Sequence, residues 1–279
     1  EGVASGAIIA PMNAASAVQE TLIRWGRGVR GAVFAWWHVL LLGAQILVLA
    51  LTPSSYQRGT HRVAVLTNLY LATAPLLTWF LVLSALISIV LIRIVVATAY
   101  SYGLTQYAIE VLVRTLVLEL IPLYAAMFVA LRYAMPGAQR VRKQLADEHR
   151  LGVLRNRQEL MRIELLPRAL GSMFSVQMLA ALSCVVALVL TYFTLYGFSP
   201  WGFPAYTRSV GQVFTPAVSL IFMLKTFFFS LAVAVVPLAG SAQRDALGRY
   251  SRRSDISEFA RLFSVVLLIE VTSLNGNYY

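Results

Sequence analysis

Residues 169–197 read ALGSMFSVQMLAALSCVVALVLTYFTLYG, and no Asp, Glu, Lys or Arg interrupts them. A helix perpendicular to a bilayer crosses its hydrocarbon core in about 20 apolar residues. The run exceeds that length, so it is read as a membrane span. Similar gaps between charges recur along the chain. Residues 63–99 carry only Arg93, whereas 107–133 hold Glu110, Arg114, Glu119 and Arg132. Residues 213–240 hold Lys225 and Pro237, and 259–274 hold Arg261 and Glu270. Composition agrees: 59% of the 279 residues are hydrophobic and 13% charged, with a mean hydropathy of +0.72. An average soluble domain is about a quarter charged. A cytosolic globule, a disordered chain and a disulfide scaffold are excluded.

The expected fold is an all-α polytopic membrane protein, one domain over 1–279. Its parts are an N-terminal interfacial helix at about 20–51, five transmembrane helices at 63–91, 107–133, 169–197, 213–240 and 259–274, and a cytoplasmic segment at 139–166. Residues 31–51 are long enough to span, but Trp25, Trp36, Trp37, His38 and Gln45 give them the features of a helix lying at the interface. After residue 91 a short extracytoplasmic excursion to 106 is expected, and Pro75 is the expected kink site.

The net charge of +11 tests that count. Basic residues gather at Arg24, Arg27 and Arg30, at Arg58 and Arg62, between 132 and 168, and at Arg244, Arg249, Arg252 and Arg253. The other loops, 100–106 and 198–211, hold only Arg208. With five spans the groups alternate as the positive-inside rule requires, which places the N-terminus in the cytoplasm and residues 275–279 outside. Residues 198–206, with Trp201 and Phe203, read as an aromatic interface belt. The chain opens on Glu1, as expected of a trimmed or incomplete N-terminus. Residues 2–18 are apolar without a basic region ahead of them, so no signal peptide is expected.

Ionisable groups inside spans are costly and normally face partners or water. Glu110 and Arg114 stand four apart, Glu first, the favoured order for a helix pair. Glu119 has Arg114, Lys225 or a second subunit as possible partners. Glu119, Lys225 and Glu270 read as an ion-pair network that fixes helix register or as groups with a role in function. Arg93 reads as snorkelling to the outer interface. The polar stretch 138–168, AQRVRKQLADEHRLGVLRNRQELMRIELLPR, is read as an amphipathic helical segment. Leu145, His149 and Gly152 or Val153 share a stripe that Leu154, Met161 and Leu165 continue. It is either a solvated linker or a docking element.

No catalytic chemistry is expected. There is no P-loop, and Gly26-x-Gly28-x-x-Gly31 follows no strand and sits among arginines. His38, His61, His149 and the single cysteine, Cys184, are scattered without metal-ligand spacing. Glu258 has no partner at hydrolase spacing, and no nucleophile elbow occurs.

The ordered landmarks resemble the MlaE/YrbE family of permeases, the membrane subunits of ABC lipid transporters that work with MCE proteins. Glu119-Leu120-Ile121-Pro122 is similar to the family's Glu-Leu-Gly-Pro. Arg132 takes the place of the arginine in its Gly-Arg-x-Gly stretch. Glu148 falls where its coupling segment opens, and Pro167-Arg168 matches the Pro-Arg that begins its next membrane helix. Lys225 and Glu270 fall where members often carry an intramembrane Lys and Asp. GRGVRGAVFAWWHVLLLGAQ is similar to the family's interfacial elbow helix, so the likeness runs over about 24–274. Departures mark a divergent member. Leu118 replaces an arginine, Ile121 replaces a glycine, and Gln139-Arg140-Val141-Arg142 stands where the family has Ala-Glu-x-Gly.

The resemblance implies a permease subunit without enzymatic activity, in the bacterial inner membrane. Its implied partners are a separate ATPase that binds the ATP, a periplasmic MCE protein, and a second copy or a paralogue. It implies a lipid cavity lined by Leu77, Thr78, Trp79, Leu81, Leu267 and Val271, with Glu119, Lys225 and Glu270 near a headgroup. Glu148, Leu151, Arg155 and Glu159 would couple to the ATPase within 144–160. No metal and no cofactor of its own are implied. Two other readings stand beside this one: a secondary transporter or channel using the intramembrane Glu and Lys charges, and a membrane scaffold whose basic segment binds anionic lipid or a partner. The first of these predicts internal repeats with broken helices, and the sequence shows no convincing repeat.

Overall fold

The computed structural model describes residues 36–53, 59–104, 107–152, 157–242 and 255–278. Arg24, Arg27, Arg30, Arg58, Arg155 and the Arg244–Arg253 group therefore lie outside the described residues. Among those described, every regular element is helical. The chain divides into two units, Glu1–Leu41 and Leu42–Tyr279. Of the first, residues 36–41 are described, the opening of α1 (Trp36–Leu51). The second unit begins within α1 and holds everything that follows.

Four of its helices are long and apolar enough to cross a membrane: α2 (Gly59–Ser101), α3 (Ala108–Arg150), α4 (Met161–Tyr196) and α6 (Pro216–Ala242). The protein is thus an all-α, multi-pass membrane protein. A fifth long helix, α7 (Asp255–Tyr278), has 24 residues, enough for about 36 Å. It falls short of the other four in hydropathy because it carries Asp255, Glu258, Arg261 and Glu270.

Three boundaries differ from the sequence expectation. No breaker lies between Leu91 and Ser101, so α2 continues past residue 91 and contains Arg93. The chain reverses at Gly103, whose φ of +68° suits a residue without Cβ, and Leu104 N–H donates back to Ala99 O at 2.8 Å. Next, the polar stretch 138–168 is not one amphipathic helix. α3 runs on to Arg150 and ends at Gly152, φ +71°, and a helical turn at Arg157–Leu160 leads into α4. The stripe through Leu145 and His149 therefore stops at Gly152: Leu145 is buried and His149 exposed. The arrangement is a hairpin of two helix extensions. Finally, residues 198–211 hold a 3-10 turn, Pro200–Gly202, and a short helix α5 (Phe203–Val213). Tyr206 of α5 is buried and donates its hydroxyl to Leu188 O at 2.8 Å, while Phe198 and Trp201 are almost wholly exposed.

Prolines shape α3 and α4. Three stretches wind as π-helix: Val113–Leu120, Ala130–Ala134 and Met161–Leu165. Each ends two residues before a proline, at Pro122, Pro136 and Pro167. A proline brings no N–H to the carbonyl four residues back and crowds it. Widening the preceding turn relieves both effects, as π-turns inside α-helices do.

Small residues set the closest helix contact. A Cβ on Gly171 of α4 would lie 2.9 Å from both Asn68 O of α2 and the Tyr133 hydroxyl of α3. One turn on, Ser175 Oγ donates to Ala72 O at 2.8 Å, and the Tyr133 hydroxyl donates to Asn68 Oδ1 at 3.0 Å. Close backbone approach and interhelical hydrogen bonds are how helices associate where lipid offers no hydrophobic drive. In the second unit α1 adds Leu42 and Ile46, both buried, and Gly43 lies against Val235 of α6.

Candidate functional site

The Glu-Leu-Ile-Pro stretch builds the centre of the site. Pro122 offers no donor to Leu118 O, one turn back, and Lys225 of α6 supplies one: its Nζ lies 3.2 Å from that oxygen. The same ammonium is ion-paired to Glu119, the next side chain along α3. It also meets Glu270 of α7, whose Oε2 lies 2.8 Å away in ion-pair contact without hydrogen-bond geometry. The ring of Phe229, one turn along α6, lies 5.7 Å from Nζ.

Lys225 is 2% exposed, Glu119 8% and Glu270 9%, so the three charges are out of solvent. An ammonium has three donors. Leu118 O and two carboxylates face them here, and the cluster ties α3, α6 and α7 together. With both carboxylates ionised it carries a formal charge of −1.

The partners that the sequence left open for Glu119 are thereby resolved. Arg114 instead meets Glu110 at 3.1 Å on an exposed face of α3. The positive charge beside Glu119 is supplied by Lys225.

A second cluster, missed in the sequence, lies where the extension of α3 meets the start of α7. Arg142, on the extension of α3, is ion-paired to Glu258, one turn into α7. Glu258 is 5% exposed and packs on Gly240 of α6, where a Cβ would stand 2.7 Å from its Oε1. Sequence spacing could not find it, because the partners stand 116 positions apart. Nearby, Pro167 is buried and Arg168 pairs with Glu164 at 2.9 Å, one turn back on α4.

The remaining predicted residues fall into separate places. Thr78 and Trp79 of α2 and Leu267 and Val271 of α7 are exposed, and Leu77 and Leu81 are half-buried. Within one chain these apolar faces do not close over the buried charges. Leu151, at the hairpin turn, and Glu159 are exposed, and Glu148 is half-buried. Arg132 is exposed, and Pro122 is buried beneath the charge cluster. Among the described residues no group of three or more His, Cys, Asp or Glu is placed to hold a metal ion.

A family model described as Permease MlaE matches residues 65–248. The match takes in Glu119, Arg142 and Lys225 but stops short of α7. No curated protein matches the chain.

Proposed function

The chain belongs to the MlaE permease family, a permease subunit of an ABC-type transporter, and on that premise we propose that it moves lipids. The lipid passes between the bacterial inner membrane and a periplasmic MCE protein. ATP is bound and hydrolysed by a separate ATPase subunit, and the permease works as a dimer with a second copy or a paralogue. The basic hairpin end and the N-terminus face the cytoplasm, and the end of α7 faces the periplasm.

One observation carries the reading. α3 continues past its apolar stretch as a charged extension to an exposed turn at Leu151–Gly152, and a charged helical turn at Arg157–Leu160 leads into α4. Charged extensions of this kind offer a soluble motor a handle on two spanning helices at once. Glu148, Leu151, Arg155 and Glu159 are the residues through which the ATPase would push. The exposed apolar residues of α2 and α7, Trp79 and Val271 among them, suit acyl chains. Glu119 and Lys225 meet Glu270 on the inner face of α7, where a shift of that helix would open the three charges to a headgroup.

The test is lipid-stimulated ATP hydrolysis by the co-purified ATPase, reconstituted with the full chain. Charge reversal of both Glu148 and Glu159 is expected to abolish the stimulation. Normal assembly and ATPase stimulation after deletion of residues 144–160 would overturn the reading.

A further inference from the structure

α7 packs chiefly along α6, and its polar ties reach α3 at two levels. The membrane-level tie runs from Glu270 through Lys225 to Glu119. The cytoplasmic tie is direct, Glu258 to Arg142. The two acids of α7 are twelve residues apart, about 18 Å along the helix. Arg142 sits on the extension that leads to the hairpin turn, eight residues before Arg150, where α3 ends. The Glu258 carboxylate occupies the space beside the Gly240 backbone of α6 that a Cβ there would fill.

We infer that the Arg142–Glu258 ion pair is a positioning contact for transport, which delivers displacement of the α3 hairpin extension to α7. The inference rests on the permease reading above. A push on the hairpin turn moves Arg142 with α3, and Glu258 makes the cytoplasmic end of α7 follow. Because α7 also holds Glu270 and the exposed Leu267 and Val271, its movement shifts the buried charges and the apolar face together. Without the pair, the ATPase still docks on the hairpin and turns over, but the stroke does not reach α7. Gly240 belongs to the device, since a side chain there would push the carboxylate away from Arg142.

The experiment uses the full transporter in proteoliposomes and reads lipid moved per ATP hydrolysed, together with the thermal midpoint of the complex. R142E and E258R singly are expected to keep ATPase turnover within about twofold and to lower lipid moved per ATP at least tenfold. The paired exchange R142E/E258R is expected to recover at least half of it. G240A, which changes no charge, is expected to lower the ratio at least threefold.

A merely structural pair would lower assembly, ATPase rate and transport together, leave the ratio unchanged, and overturn the inference. Where the single reversals fail to assemble, the exchange and G240A decide: a wild-type ratio in G240A, or no transport in an assembled exchange variant, overturns it. A wild-type complex that hydrolyses ATP but moves no lipid overturns the permease reading and the inference together. Wild-type transport with an unchanged ratio in the variants overturns the inference alone.

Discussion

Lys225 answers a carbonyl and two carboxylates with one ammonium, and the consequence of removing it follows from what it would leave behind. Breaking a buried pair by deleting one partner costs about 3–5 kcal/mol, because the other charge stays buried and uncompensated. Between membrane helices, polar contacts average nearer about 0.6 kcal/mol where both states find partners. The larger figure applies here, since Lys225→Met would leave two carboxylates facing each other. The complex is expected to lose several degrees in its thermal midpoint. The triple variant E119Q/K225M/E270Q removes the repulsion and is expected to regain most of that loss while transport stays at least tenfold down. Recovery of transport along with stability would reduce the cluster to a fold element. All three residues stood out in the sequence, because a charge in an apolar run is conspicuous. Their pairing did not, since Arg114, Lys225 and a second subunit could each have answered Glu119. Arg142 and Glu258 were illegible for the opposite reason: both sit among ordinary charges outside the apolar runs, where one more ion pair leaves no mark on hydropathy.

Helix α3 owes its function to a proline that a helix ordinarily resists. In a regular helix interior proline is about 3 kcal/mol worse than alanine. Pro237 of α6 has no π-turn before it, so Pro237→Ala is expected to raise the thermal midpoint or leave it unchanged. Pro122→Ala is expected to lower it. The new N–H would compete with Lys225 for Leu118 O and draw the Val113–Leu120 turn back towards α geometry, rotating Glu119 away from its partner. A matched thermal rise in both variants would show that the π-turn does not hold Glu119 in place. The apolar runs announced the spanning elements well, since length and the lack of charge decide them. Their ends were harder. α2 passes residue 91 because no proline or glycine follows before Gly103, and the break in the polar stretch is hard to see because Gly152, an isolated glycine there, carries no visible sign of a positive φ. α5 was hidden for a related reason: its aromatic residues suit an interface belt and a short helix equally.

At the scale of the molecule, the proposed topology puts the hairpin end of the bundle in the cytoplasm and the Trp201 end outside. With Cys184→Ala as background, a cysteine at Glu148 is expected to react with an impermeant maleimide only from the cytoplasmic side, and one at Trp201 only from the other. Labelling of both from one side would overturn the assigned topology. The order of the chain adds a further consequence, one for biogenesis. A charged side chain at the centre of a span costs a translocon-inserted helix on the order of 3 kcal/mol. α7 carries Glu270 inside its apolar stretch and Glu258 near its start, so it is a poor candidate for insertion alone. Its counter-charges, Lys225 and Arg142, lie upstream, and a ribosome has already delivered both helices when α7 emerges. The ion pairs that hold the finished bundle would thus also serve its construction, with α7 accepted into the bilayer by the helices that precede it.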